Sequence, residues 1–167
     1  MPWVLPGILS IFLFLPSCRV SYSFTGASIS PSVKTVSIAN IQNNASLVVP
    51  TLSRTLTEAL WDYFTGQTNL VLVDRGGDLS LDGTITQYVV QPVAIQGNET
   101  AALNRLTIAV NVKFINKTDP KQNWETTFSR YQDYASSYNL SSVQDLLIKD
   151  ITDQLVQDIF NKAVVNW

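Results

Sequence analysis

Along residues 34–164 the spacing of apolar side chains alternates between two periods, and each change marks a new element. Lys34–Asn40 alternates, with Val36 and Ile38 on one face, and reads as a short strand. From Pro50 to Phe64 the period becomes helical. Leu52, Leu56, Ala59, Leu60 and Tyr63 fall on one stripe, with Thr51 a candidate N-cap and Gly66 a natural stop. Asn69–Val73 reads as a strand, followed by the turn residues Arg75–Asp78. Leu79–Val90 alternates for most of its length. Leu79, Leu81, Ile85 and Val89 share one face with Gly83 in their register, and Ser80, Asp82, Thr84, Thr86 and Tyr88 share the other. Residues 91–104 break the pattern and are expected to form a long loop. Arg105–Asn116 places Leu106, Ile108, Val110, Val112 and Phe114 on one face. After a turn at Thr118–Lys121, Trp124–Tyr134 continues as a strand with Trp124, Thr126 and Phe128 in register. Ser141 to about Val164 is an amphipathic helix whose stripe is Val143, Leu146, Leu147, Ile151, Leu155, Ile159 and Ala163. Ser141-x-x-Gln144 and Ser142-x-x-Asp145 each offer it a capping box.

This order predicts an α+β fold in two layers: one mixed, mostly antiparallel sheet with two helices packed on one face. Strands that alternate apolar with polar cover the sheet on one side only, so the polar side is expected to stay partly open. Neither an internal repeat nor a low-complexity segment interrupts the pattern.

Ahead of these elements, Trp3–Leu15 is an apolar run without strand alternation. It is too short to cross a ~30 Å hydrocarbon core and has the length of a secretory signal's apolar region. It ends in Leu15-Pro16-Ser17-Cys18, which resembles the bacterial lipobox, where the thiol is diacylated and the chain is cut just before it. No Lys or Arg precedes the run, a departure from such signals. The bland alternative makes Cys18 a small buried apolar residue in a core strand. The run's position, and the polar Arg19–Ser32 after it, favour the anchor. Residues 1–17 are thus expected to be a lipoprotein-type signal peptide, 18–32 a lipidated flexible tether, and 33–167 a single domain. The covalent diacylglycerol and acyl chain on Cys18 would hold the chain to a bilayer at about 0.8 kcal/mol per buried CH₂. No other cofactor is expected. Arg19 stands where an Asp would resemble the inner-membrane retention signal, which favours the outer membrane.

Composition narrows the chemistry. With 46% hydrophobic and 14% charged residues the chain is no disordered tail. A net charge of −2 argues against nucleic-acid binding driven by counterion release. Histidine is absent, which removes the commonest general base and metal ligand, and the single cysteine precludes an internal disulfide or a thiolate zinc cluster. Asp74, Asp78 and Asp82 recur every fourth residue but straddle a Gly-Gly turn, and lack the ligand density of a calcium loop. No Walker loop, G-x-G-x-x-G or G-x-S-x-G elbow is present. These features assign no catalytic residue and no metal site. The basic residues are unevenly spread: Arg105, Lys113, Lys117, Lys121 and Arg130 meet only Asp119 and Glu125 between Leu103 and Arg130. Arg105, Lys113 and Arg130 are candidates for binding an anionic lipid head group, Arg being suited to bidentate phosphate contact. Ordinary surface charge that guards a sheet edge is the alternative. Asn44, Asn98, Asn116 and Asn139 each begin a glycosylation-like triplet, unremarkable in an Asn/Ser/Thr-rich chain.

Taken in order, several segments resemble the LptE-like lipopolysaccharide-assembly lipoprotein family in its Bacteroidetes form. These are Cys18 with Tyr22-Ser-Phe-Thr-Gly26, then Val36-Ser-Ile38 leading through Asn43-Asn44 to Thr57-Glu-Ala-Leu60, then Gly83-Thr-Ile-Thr86, Pro92–Leu106 and Asp158–Trp167. The resemblance spans nearly all of Cys18–Trp167. It implies a protein with no enzymatic activity, anchored in the outer membrane, that plugs and helps assemble the β-barrel lipopolysaccharide translocon of the LptD type. Lipopolysaccharide itself is an implied ligand. Two other classes stay open at this level. One is a structural or glycan-binding lipoprotein of another envelope complex, which would show exposed aromatics on the sheet. The other is a hydrolase, which would need two carboxylates within ~10 Å in a cleft.

Overall fold

A computed structural model describes residues 29–93 and 102–165, without the side chain of Val165. Cys18, the expected signal segment and most of the expected tether lie outside the described residues.

Pro50 opens α1 (Pro50–Gln67), where its fixed φ suits the first turn and its missing N–H is not needed. The N-cap is Val49, without a side-chain cap, rather than Thr51. Gly66 does not end the helix, which runs on until Thr68 closes it by donating both N–H and Oγ1 to Phe64 O. The buried stripe is Leu52, Leu56, Thr57, Leu60 and Phe64, with Ala59 and Tyr63 half-buried at its margin. The second helix, α2 (Leu140–Phe160), buries Leu147, Ile148, Ile151, Leu155, Val156, Ile159 and Phe160. Its cap is Asn139, whose side chain accepts from Ser141 N–H, so neither serine box forms the start. Leu146 is 62% exposed, one step off the stripe that included it. A π-helical turn over Asn161–Val165 continues the chain and buries Ala163 and Val164.

Six strands form one mixed open sheet. β1 (Thr35–Ile38) runs parallel to both β3 (Val71–Leu72) and β4 (Leu79–Val93). β4, β5 (Leu103–Asn116) and β6 (Trp124–Ala135) form an antiparallel meander. The order across the sheet is β3-β1-β4-β5-β6, and the short β2 (Gln42–Asn43) continues β1's pairing along β4. Both helices cover one face, so the architecture is the expected α+β arrangement. One core runs between them, from Val36, Leu79, Leu81, Ile108, Val110 and Phe114 on the sheet to the helix stripes.

Several boundaries differ from the sequence pattern. The strand expected over 69–73 shrinks to Val71–Leu72. Strand pairing reaches Val93 and resumes at Leu103, so the interruption is shorter than 91–104. Within β4 a bulge at Thr86 shifts the register, with Ile85 opposite Val110 and Gln87 opposite Ala109. Side-chain parity flips there: Tyr88 turns into the core and Val89 to the other face, the reverse of uninterrupted alternation. The buried Tyr88 hydroxyl has no partner among the described residues, and burial pushes its pKa up.

The kink between β1 and β2 has a visible cause. Ile41 N–H donates to Thr57 Oγ1 at 3.0 Å, and Ile41 O accepts from Ser53 Oγ, so α1 satisfies both polar groups of a residue outside the ladder. The Ile41 side chain then lies over Gly83, where an added Cβ would meet its Cδ1 at 2.5 Å. Trp61 Nε1 donates to Ile38 O at 3.2 Å and fastens the helix to the same strand. At the other end of β1, Asp78 Oδ2 accepts from Lys34 N–H, Thr35 N–H and Thr35 Oγ1 at 2.8–3.0 Å. Residues 30–33 close a turn, Val33 N–H to Ser30 O, and Ile29 packs against the core.

Candidate functional site

Because both helices lie on one side, no helix of the described residues covers the far side of the β4–β6 meander. Register places its side chains in rows across the strands. One row is Asp82, Lys113 and Glu125; the next is Thr84, Asn111 and Thr127. Beyond the bulge come Gln87, Ala109 and Ser129, then Val89, Thr107 and Tyr131, then Gln91, Arg105 and Asp133. Neutral polar groups therefore dominate, with charges confined to the two outer rows.

The three candidate cations are not brought together. Arg105 and Lys113 share the open face, whereas Arg130, opposite Ile108, belongs to the helix-bearing side of β6. Arg105 makes a bidentate pair with Asp133 at 2.7 and 2.8 Å, and its guanidinium lies 3.7 Å from the centre of the Tyr131 ring. That hydrogen bond holds the Asp133 carboxyl below the usual carboxylate range. Arg130 makes an equivalent pair with Asp158 on α2 at 2.6 and 2.7 Å. Lys113 is exposed and pairs with no carboxylate among the described residues, although Asp82 and Glu125 flank it in register. The linear cluster of positive residues is further dispersed. Lys117 Nζ donates to Gly76 O at 2.7 Å, and Lys121 sits in the 3₁₀ turn Pro120–Gln122. Among the described residues Lys113 is thus the cation on this face that makes no ion pair, lying between Asp82 and Glu125 in register.

The sequence did not reveal Asp133 and Asp158 as partners of Arg105 and Arg130, each 28 residues from its arginine. The hairpin holds a signal for the first: centring β5 and β6 on Asp119 sets Arg105 opposite Asp133. The triplet asparagine Asn116 proves structural. It is fully buried, its Oδ1 accepts from Thr118 N–H, Thr118 Oγ1 and Asp119 N–H, and its Nδ2 donates to Gln122 Oε1. Tyr131 is an exposed aromatic on the sheet, but Arg105 occupies one face of its ring.

A shallow cleft of about 330 Å³ opens where β1 gives way to β2, bounded by Asn40, Gln42, Asp82, Lys113 and Glu125. Among the described residues no three carboxylate or thiol ligands converge as a metal would require. No helix of the described residues is long and apolar enough to cross a membrane.

The family model described as "LptE: Lipopolysaccharide-assembly" matches residues 33–163. No curated protein sequence matches significantly. Among solved structures, a minor lipoprotein from Acinetobacter baumannii has a TM-score of 0.51 at 15% identity, covering 78% of this chain and 91% of its own. A hypothetical protein from Chlamydia trachomatis scores 0.49 at 6% identity over 81% and 100% of the two chains. A putative lipoprotein from Caulobacter crescentus scores 0.47 at 11% identity over 77% and 87%. At such identities the first of these likenesses concerns the fold alone.

Proposed function

The chain belongs to the LptE lipopolysaccharide-assembly family, and from that premise we propose that it is an acylated, non-catalytic partner of the outer-membrane β-barrel that inserts lipopolysaccharide. In this reading Cys18 carries the acyl chains that hold the domain at the outer membrane. The domain enters the barrel lumen and helps the barrel assemble. The observation that carries the proposal is the open sheet face. Its rows of Thr84, Asn111, Thr127, Gln87 and Ser129 are neutral and polar, matched to a barrel lumen, which is polar where the outer wall is apolar. Its hydroxyls and amides can exchange water for the polar groups of such a wall, which offsets the cost of their desolvation.

Lipopolysaccharide contact is the finer part of the proposal. Lys113 offers a phosphate an unpaired ammonium, while Arg105 and Arg130 would first have to leave Asp133 and Asp158. Lys113 is therefore the leading contact, with the two arginines secondary.

The test places a photo-activatable side chain at Thr127 of the full chain in living cells. A covalent adduct with the barrel is the expected product, and a folded protein that yields none overturns the reading. For the lipid, Lys113→Glu with Arg105→Glu should weaken lipopolysaccharide pull-down while leaving the fold intact. Undiminished pull-down removes the phosphate role.

A further inference from the structure

The two edges of the sheet are built differently. β3, at one edge, pairs through only Val71 and Leu72, too short to template another strand. β6, at the other, runs for 12 residues and pairs with β5 without a bulge. It contains neither Pro nor Lys and no bulge interrupts it, so among the described residues its edge is blunted only by the charges of Glu125, Arg130 and Asp133, two of which are paired within the chain.

The direction of its backbone groups follows from the ladder. Ser136 N–H donates to Ala102 O at 3.0 Å just beyond the Leu103–Ala135 pair. Bonded and non-bonded pairs alternate in an antiparallel ladder. Even-numbered β6 residues therefore bond β5. Glu125, Thr127, Ser129, Tyr131 and Asp133 turn their N–H and C=O groups outward. No turn, loop or side-chain hydrogen bond reaches these amides among the described residues.

We propose that β6 is a docking edge that takes an extended segment of a partner protein as an added antiparallel strand. Charge decides the kind of partner. Asp133 and Arg130 are already neutralised within the chain by Arg105 and Asp158, whereas Glu125 makes no ion pair among the described residues, although Lys113 stands opposite it in register. A second copy paired in full register about Ser129 would set Glu125 of each molecule against the already paired Asp133 of the other and so bring Glu125 no cation. The fitting segment is uncharged opposite Thr127, Ser129 and Tyr131 and carries Lys or Arg opposite Glu125. A closed barrel has no free strand edge, so in such a partner the segment would belong to a loop or terminus and not to a wall strand. The inference stands whether or not the partner is a barrel.

The test uses the full chain in mild detergent. The probe is a soluble, Thr-rich peptide of β6's length with one lysine near its C-terminal end, where antiparallel pairing meets Glu125. Amide exchange should slow at residues 125, 127, 129, 131 and 133 on adding peptide, and stay unchanged at the even positions already bonded to β5. Ser129→Pro removes an outward N–H at an edge position that tolerates Pro, and should weaken binding at least about tenfold. Ser129→Ala keeps the N–H and should bind within about twofold. The exchange pattern decides the matter even if the Pro variant unfolds. Absent protection at the odd amides, or equal binding by a folded Ser129→Pro, overturns the proposal. A wild-type dimer that Ser129→Pro dissolves also overturns it, because the occupant would then be a second copy.

Discussion

Removing the Phe160 ring tests the arrangement that leaves one sheet face without a helix among the described residues. Phe160, near the end of α2, is 4% exposed and meets Tyr63 and Phe64 of α1 edge-on, at centroid distances of 5.0 and 5.1 Å. A buried Phe→Ala change costs about 3–5 kcal/mol, of which two edge-on ring pairs supply roughly 0.5–1.5 kcal/mol each. Set against the ~5–15 kcal/mol that holds a typical domain together, a loss of about 4 kcal/mol is a large share. At a urea dependence of ~2 kcal/mol per molar, the unfolding midpoint of Phe160→Ala should fall by about 2 M. The assay is equilibrium urea unfolding followed by far-ultraviolet circular dichroism, with Phe160→Leu as a milder control. A fall below about 0.5 M with an unchanged slope would mean that the ring does not join the two helices, and the account of the helix layer would be wrong.

Other substitutions probe separate parts of the account. Gly66→Ala, inside α1 with open space around the new Cβ, should raise stability by about 0.5–1 kcal/mol, read as a higher melting temperature. Gly77→Ala should lower stability by about 2–3 kcal/mol, because its Cβ would lie 2.6 Å from Ser37 N and 2.7 Å from Leu79 O, both backbone atoms that cannot yield cheaply. The donors on Lys34 and Thr35 hold Asp78 below its ordinary value of 3.8. The stability Asp78 contributes is therefore present above that value and lost as pH falls through the lower folded one. In melting curves taken at decreasing pH, Asp78→Asn should start lower than wild type and decline less on acidification. Asn116→Ala deletes a buried amide that accepts three hydrogen bonds and donates a fourth and should cost about 1–3 kcal/mol, measured by the same urea titration.

The long periodic segments were legible because burial on one face leaves a repeat in the chain. Leu52, Leu56 and Leu60 announce α1, and Leu106 to Phe114 announce β5. What escaped has no periodic trace. The bulge at Thr86 inserts one residue into a pattern that otherwise continues, so Tyr88 and Val89 read on the wrong sides. β2 is two residues that follow Ile41, whose backbone is held by Thr57 and Ser53 from a helix the local sequence does not mention. Leu146 looked like core because an apolar residue beside a stripe cannot be told from one within it until the neighbouring helix is placed. The sheet's polar face was foreseeable from alternation. The fate of its cations was not, since Arg105 and Arg130 find their carboxylates only through strand register and helix docking.

The most direct measurement of the central claim is intact mass and composition of the full chain purified from membranes in mild detergent. Expected are a mass that shows acyl chains on Cys18 and a stable complex with a β-barrel of the lipopolysaccharide-assembly machinery. An unacylated protein recovered from the aqueous fraction, with no barrel bound to it, would contradict the claim.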